Sequence, residues 1–213
     1  PPSFPTPTPT PGNSAAAARS VTLRERAAAR QRTAHDILRD LDLLGRWSRY
    51  GDPVVVGSVA IGVVVPPDID LEIYSDEPRV ADGFAVMAPL AELPSTRRIT
   101  YLDARDRHEQ GQYWKLEYEL TADATWTIDM WVFDRAARGA DLTTAVREAL
   151  TDETRDYILT IKEEAAALGE RAYGYWLYQA VLDAGVHSYP DFKAWLGERN
   201  IYERTSWAPR RTL

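Results

Sequence analysis

Two aspartates one residue apart, Asp68 and Asp70, interrupt the apolar stretch VVVGSVAIGVVVPPDIDLEIY (residues 54–74), and Gly57-Ser58 stands ten residues ahead of them. A third aspartate, Asp129, lies between Ile128 and Met130 in TWTIDMWVFD (125–134). Side chains alternate along a strand, so Asp68 and Asp70 share one face while Ile69, Leu71 and Ile73 take the other. Asp129 is likewise set opposite an apolar face. If the two strands are neighbours, three carboxylates converge on one side of a sheet. Bare, such a cluster of like charges is costly. A divalent cation removes the conflict, and hard oxygen ligands suit Mg²⁺ or Mn²⁺. Paired ions of this kind serve in-line displacement at phosphorus. Gly57 permits close backbone approach to a phosphate, and the amides that open the following helical turn donate to anions. A lone acid on a strand is ordinarily just solvated. The second acid two residues on, the third on another strand and the Gly-Ser turn upstream make a metal-and-phosphate site the stronger reading.

The elements that must position these residues are legible from periodicity. VVVG (54–57) and IDLEIY (69–74) read as strands, followed by a helix from Asp76 to about Leu93, which the pre-proline boundary ends. RRITYLD (97–103) is a third strand. QYWKLEYEL (112–120) alternates, with Trp114, Leu116, Tyr118 and Leu120 on one face and Tyr113, Lys115, Glu117 and Glu119 on the other. TWTIDMWVFD points Trp126, Ile128, Met130 and Val132 to the core. Ahead of the sheet, Ser20 to Tyr50 is helical, with an Ile37, Leu38, Leu41 and Leu44 stripe stopped by Gly51-Asp52-Pro53. After the sheet, Thr151 is a fitting N-cap for DETRDYILTIKEEAAAL, and helices follow around RAYGYWLYQAVLDAG and YPDFKAWLGER. The fold class expected is α+β: a mixed sheet of about five strands, flanking helices and a C-terminal helical bundle. Three regions follow: a disordered Pro/Thr-rich tail over 1–18, an α+β domain with its N-terminal helix over 19–140, and a helical region over 141–213.

Composition narrows the class. The 213 residues are 45% apolar, with seven Trp and eleven Tyr, enough for a real core. The net charge of −7 argues against a long nucleic acid as the main partner but leaves a nucleotide open. The chain has no cysteine, which excludes disulfides, thiolate metal sites and thiol nucleophiles. No run approaches the roughly 18 apolar residues of a membrane span, so a soluble, cytoplasmic protein is expected. His35, His108 and His187 are scattered without ligand spacing.

Gly57-Ser58, then Asp68-Ile69-Asp70-Leu71, then Ile128-Asp129-Met130 resembles the pattern of the DNA polymerase beta-like nucleotidyltransferase superfamily, over residues 54–134. The resemblance implies that Asp68 and Asp70 are metal ligands and that Asp129 is a metal ligand and candidate base. It implies phosphate contacts for Gly57 and Ser58 and a Mg²⁺ or Mn²⁺ cofactor. Many small members carry an Arg soon after Gly-Ser; Val59-Ala60-Ile61-Gly62 offers no cation here. Lys162 is the candidate to reach phosphate from the helix after the sheet, and Lys115 shares the acid-bearing face. Glu72 and Glu117 face the same way and are candidates to orient an acceptor hydroxyl. The layout is similar to that of small bacterial antibiotic-modifying nucleotidyltransferases, which pair such a domain with a helical bundle. The expected activity is Mg²⁺-dependent transfer of an NMP from an NTP to a hydroxyl of a small molecule or protein side chain, with pyrophosphate leaving. A non-catalytic, antitoxin-like member that acts by binding a protein partner is the alternative.

Overall fold

The computed structural model describes residues 11–138, 141–172, 174–199 and 207–209. Five strands form one mixed sheet in the order β1-β2-β5-β4-β3. They are β1 (Asp52–Val56), β2 (Asp68–Ser75), β3 (Thr96–Ala104), β4 (Gly111–Thr121) and β5 (Ala124–Asp134). β2 and β5 run parallel, and every other pair is antiparallel. A parallel pair cannot be closed by a hairpin, so the chain leaves β2 through α4 (Val80–Ala91), β3 and β4 before β5 returns to its side.

One face of this sheet is apolar through its middle. Ile69, Leu71, Ile73, Trp114, Leu116, Ile128 and Met130 are buried there in a single cluster with Ile37, Leu38 and Leu41 of α1 (Pro11–Asp40), Trp47 of α2 (Leu43–Trp47) and Val86, Met87 and Leu90 of α4. Trp47 donates its indole N–H to Met130 Sδ at 3.3 Å, so the ring's polar edge is not orphaned. A second core joins Leu23 and Ala27 of α1 to the residues between β1 and β2 and to the C-terminal helices: α5 (Leu142–Ala149), α6 (Asp152–Ala167), α7 (Gly174–Ala184) and α8 (Tyr189–Leu196). Thr151 caps α6, accepting from Thr154 N at 3.2 Å while Thr154 Oγ1 accepts from Thr151 N at 2.9 Å. Among the described residues no helix is long and apolar enough to cross a membrane.

Several boundaries differ from those read in the sequence. Residues 1–10 of the expected tail lie outside the described residues. Residues 11–18 open α1 instead of extending a coil, since Pro11 fits a first helical position and the four alanines that follow are the best helix formers. The helix Ser20–Tyr50 is broken at Asp42, whose φ of +49° turns the chain between α1 and α2. That turn rotates Leu44 out of its expected stripe, and it is exposed. Leu120 is also exposed, at the end of β4. α4 begins at Val80, not Asp76, because Pro78 disfavours helical backbone in the residue before it. The short helix α5 falls within the 141–213 region read as helical, which marked no separate element there.

Gly83 places α4 on the sheet. A Cβ there would stand 2.3 Å from Cε2 of Trp114. Gly83→Ala should therefore destabilise the fold by about 1–3 kcal/mol in urea unfolding, against the roughly 1 kcal/mol that alanine gains in an unobstructed helix. A neutral or stabilising result would show that α4 does not sit on Trp114.

Candidate active site

The opposite face of the sheet carries the chemistry, and strand register lays it out in rows. Asp70 of β2 pairs with Asp129 of β5, which pairs with Lys115 of β4. One row toward the start of β2 stand Asp68, Thr127 and Glu117; one row the other way stand Glu72, Trp131 and Tyr113. Carboxylate oxygens of Asp68, Asp70 and Asp129 lie within 4.8 Å of one another. The three expected acids are thus brought together by the parallel pairing of β2 and β5.

Each outer acid is tethered by one oxygen. Thr127 donates its hydroxyl to Asp68 Oδ1. Tyr113 donates its hydroxyl to Asp129 Oδ1 at 2.8 Å, and Lys115 Nζ stands 3.3 Å from the same atom. Asp70 lies against the turn at Gly57. A Cβ at position 57 would stand 2.3 Å from Asp70 Oδ2, and the backbone there has a φ of +62°, so both space and conformation demand glycine. Gly57 opens α3 (Gly57–Ile61), and Ser58 is buried in its first turn.

α3 is too short to hold itself, and distant residues fix its carbonyls. Gln31 of α1 donates to Val59 O at 2.6 Å. Arg155 of α6 donates to Ile61 O and, at 3.3 Å, to Gly62 O. Lys162 is buried and donates to Val63 O at 2.9 Å. Its charge is also felt by Asp70.

Electrostatics mark the cluster as strained without a cation. Burial, then the charges of Asp68 and Asp129, push Asp70 up to about 8. Burial and Asp68 raise Asp129, opposed by Tyr113 and Lys115. Burial lowers Lys162 to about 8, opposed by Asp70 and Asp68. Three hard-oxygen donors, converging at this spacing and reluctant to ionise together, fit a divalent cation such as Mg²⁺. Glu117 is ion-paired with Arg98 at the rim, while Glu72 accepts from Tyr74 OH at 2.5 Å. An open concavity of about 420 Å³ lies at the other end of β1 and β2, lined by Arg49, Asp52, Asp76 and Arg135 among others. Arg135 there is bound to Asp52 and Asp76, and the concavity includes none of the three acids.

Tyr113, Thr127, Arg155 and Gln31 had no role in the sequence reading. Thr127 and Tyr113 share the parity of the acid face, but only register shows which carboxylate each one meets. Arg155 and Gln31 meet α3 across separations of 94 and 28 residues, which no local pattern reveals.

The fold of the sheet and its flanking helices is shared with solved structures of low sequence identity. Two crystal structures of Cid1 poly(U) polymerase show it. The one with Mg and 3′-dATP bound matches at a TM-score of 0.51 and 18% identity, over 76% of this chain and 52% of that one. A mutant bound to MgATP matches at 0.50 and 20%, over 74% and 50%. The chain therefore spans about half the length of these structures. At the level of sequence, no protein-family description and no curated protein matches.

Two outcomes test this geometry. Because the folded-state pKa of Asp70 is raised, the folded metal-free protein binds the extra proton, and stability is lost as pH rises from the ordinary 3.8 toward about 8. The melting temperature of the metal-free protein should fall across that window, and the fall should be smaller in Asp70→Asn. Equal slopes would remove Asp70 from the cluster. Gly57→Ala should lower stability and weaken Mn²⁺ binding measured by calorimetry; unchanged Mn²⁺ affinity would show that the Gly57–Asp70 contact does not position the acid.

Proposed function

We propose that this protein is a Mg²⁺-dependent nucleotidyltransferase that moves an NMP from an NTP to a hydroxyl acceptor and releases pyrophosphate. The observation that carries the reading is the convergence of Asp68, Asp70 and Asp129 beside the Gly57-Ser58 turn, on a nucleotidyltransferase fold. Asp68, Asp70 and Asp129 form the metal-binding and catalytic set. Gly57, Ser58 and Lys162 form the nucleotide-binding set. A metal held there would neutralise phosphate charge and favour displacement at the α-phosphorus.

The chain's own residues supply the remainder. The α3 turn, braced by Gln31 and Arg155, presents its first amides to the phosphates. Lys162 contributes positive charge from beneath, in place of the arginine absent after Ser58. As the acceptor oxygen bonds to the α-phosphorus, the bond to pyrophosphate breaks and the hydroxyl proton passes to Asp129. Its Oδ2 is the receiving atom, because Tyr113 and Lys115 occupy Oδ1.

The acceptor proposed is a small molecule, and the acidic balance of the chain supports it over a polynucleotide. Cid1 poly(U) polymerase bears the name of an RNA-extending enzyme, and an RNA end is the competing acceptor. A purely protein-binding role is the weaker reading, since it gives no reason to hold three carboxylates together at electrostatic cost. A cytoplasmic setting, where NTPs and Mg²⁺ are at hand, suits the activity.

Incubation of the full chain with each NTP, Mg²⁺ and a panel of hydroxyl acceptors, followed by pyrophosphate release and mass spectrometry, should reveal NMP-labelled product. Asp70→Asn should lower turnover by roughly 10²–10³-fold or more while melting temperature holds or rises. A wild type inert with every NTP, or a mutant with full turnover, would overturn the proposal.

A further inference from the structure

At the end of the sheet away from β1, β3 presents an edge. It pairs with β4 on one side only, and among the described residues no further backbone hydrogen bond reaches residues 97–103. Unpaired amides and carbonyls on such an edge are a template for another strand, and nine residues is long for one left open. Beside this edge the apolar face is not closed. Ile99 and Tyr101 are only partly buried against the core. Phe84 of α4 is 52% exposed, although its ring stands 5.6 Å from Tyr101 and 4.7 Å from Trp114 between centroids. Along the edge itself Arg97, Arg98, Thr100 and Asp103 are exposed.

We propose that this edge is the interface with a second copy of the chain: two β3 strands pair antiparallel about a two-fold axis at Thr100 and join the two sheets into one. The occupant is read from the strand itself, TRRITYLDA, whose residues complement their own reversed order. Opposed residues of an antiparallel pair share a face, so a two-fold axis perpendicular to the sheet must pass through a residue. Centred on Thr100, Ile99 meets the partner's Tyr101 on the apolar face and Arg98 meets the partner's Leu102 on the acid face. Arg97 then meets the partner's Asp103 at both ends. Centred on Tyr101, Ile99 would face a carboxylate; centred on Ile99, Tyr101 would face a guanidinium. The register shift between Thr96 and Arg98 ends the regular ladder there, so the paired segment is 98–102 with the charges closing it from outside. On its own chain Arg97 is bound to Glu119, and Asp103 to Arg105. Joining two copies therefore sets four charges of alternating sign at each end. The charges that repel an arbitrary strand admit this one. The partner's Ile99, seated beside Tyr101, also comes to cover the open side of Phe84. Both acid faces look the same way and stay uncovered, with the two β5 strands about 24 Å apart at the usual strand spacing of about 4.8 Å.

The test uses the full chain. Sedimentation velocity across a wide concentration series should show a species of twice the chain mass. Arg97→Asp and Asp103→Arg should each weaken that dimer at least about tenfold, because like charges then meet at both ends. Mixed in equal amounts, the two variants should form a heterodimer of restored affinity, since both ends again join opposite charges. A variant that had merely misfolded could not be rescued in this way. The chain has no cysteine of its own, so Thr100→Cys should give a covalent dimer on mild oxidation, whereas Thr125→Cys, exposed at the start of β5, should not. A chain monomeric at every concentration would overturn the inference. So would a dimer that neither charge variant weakens, mixing without rescue, or cross-linking through Thr125→Cys in place of Thr100→Cys. None of these residues belongs to the metal or nucleotide set, so such a failure would leave the nucleotidyltransferase reading standing.

Discussion

The candidate active site hangs on the side-by-side placement of Asp70 and Asp129 in a parallel strand pair. Antiparallel neighbours are cheap to make by hairpins, but a parallel pair needs a long crossover. Here α4, β3 and β4 form that crossover, and they also supply the lid of the core and the strand that carries Tyr113 and Lys115. The register that aligns the two acids simultaneously aligns Ile69 with Ile128 and Leu71 with Met130 on the other face. A one-residue slip would put the carboxylates into the core, so apolar burial fixes the site's geometry. The hydrophobic effect thereby enforces an electrostatically unfavourable cluster.

That cluster is held by weak contacts arranged with economy. One oxygen of Asp68 and one of Asp129 are tied by Thr127 and Tyr113, so neither carboxylate can swing away from its neighbours. Lys162 and Lys115 offset part of the negative charge from two sides, one from the helical layer and one from within the sheet. What is left over is negative potential pointing outward beside the amides of α3. Opposite signs of field thus meet where the acid face borders the first turn of α3.

The C-terminal helices are therefore more than a separate bundle. α6 grips the β1–β2 connection through Arg155 and Lys162, and Gln31 grips it from α1. A five-residue helix has almost no stability of its own. Its carbonyls are satisfied by side chains from two other helices, which fixes the direction of its N-terminal amides. Tyr178 of α7 lies close enough to Asp70 to be influenced by its charge, so the bundle borders the acid face as well as bracing the turn.

Much of this was readable from the chain itself. Alternation placed Asp68 and Asp70 on one face and Asp129 opposite its apolar partners, and the strands, the Thr151 cap and the α+β class followed from the same local rules. Local rules work there because backbone geometry alone sets which way each strand residue points. They failed where a single residue's backbone or a tertiary surface decides: Asp42 turning Leu44 outward, Leu120 falling at the exposed end of β4, and α1 reaching back to Pro11. Pairing was beyond them altogether. Nothing in the sequence near Thr127 names Asp68, near Tyr113 names Asp129, or near Arg155 names Ile61. Those contacts arise from register and helix packing across the whole chain, and a strand's period fixes faces but not neighbours.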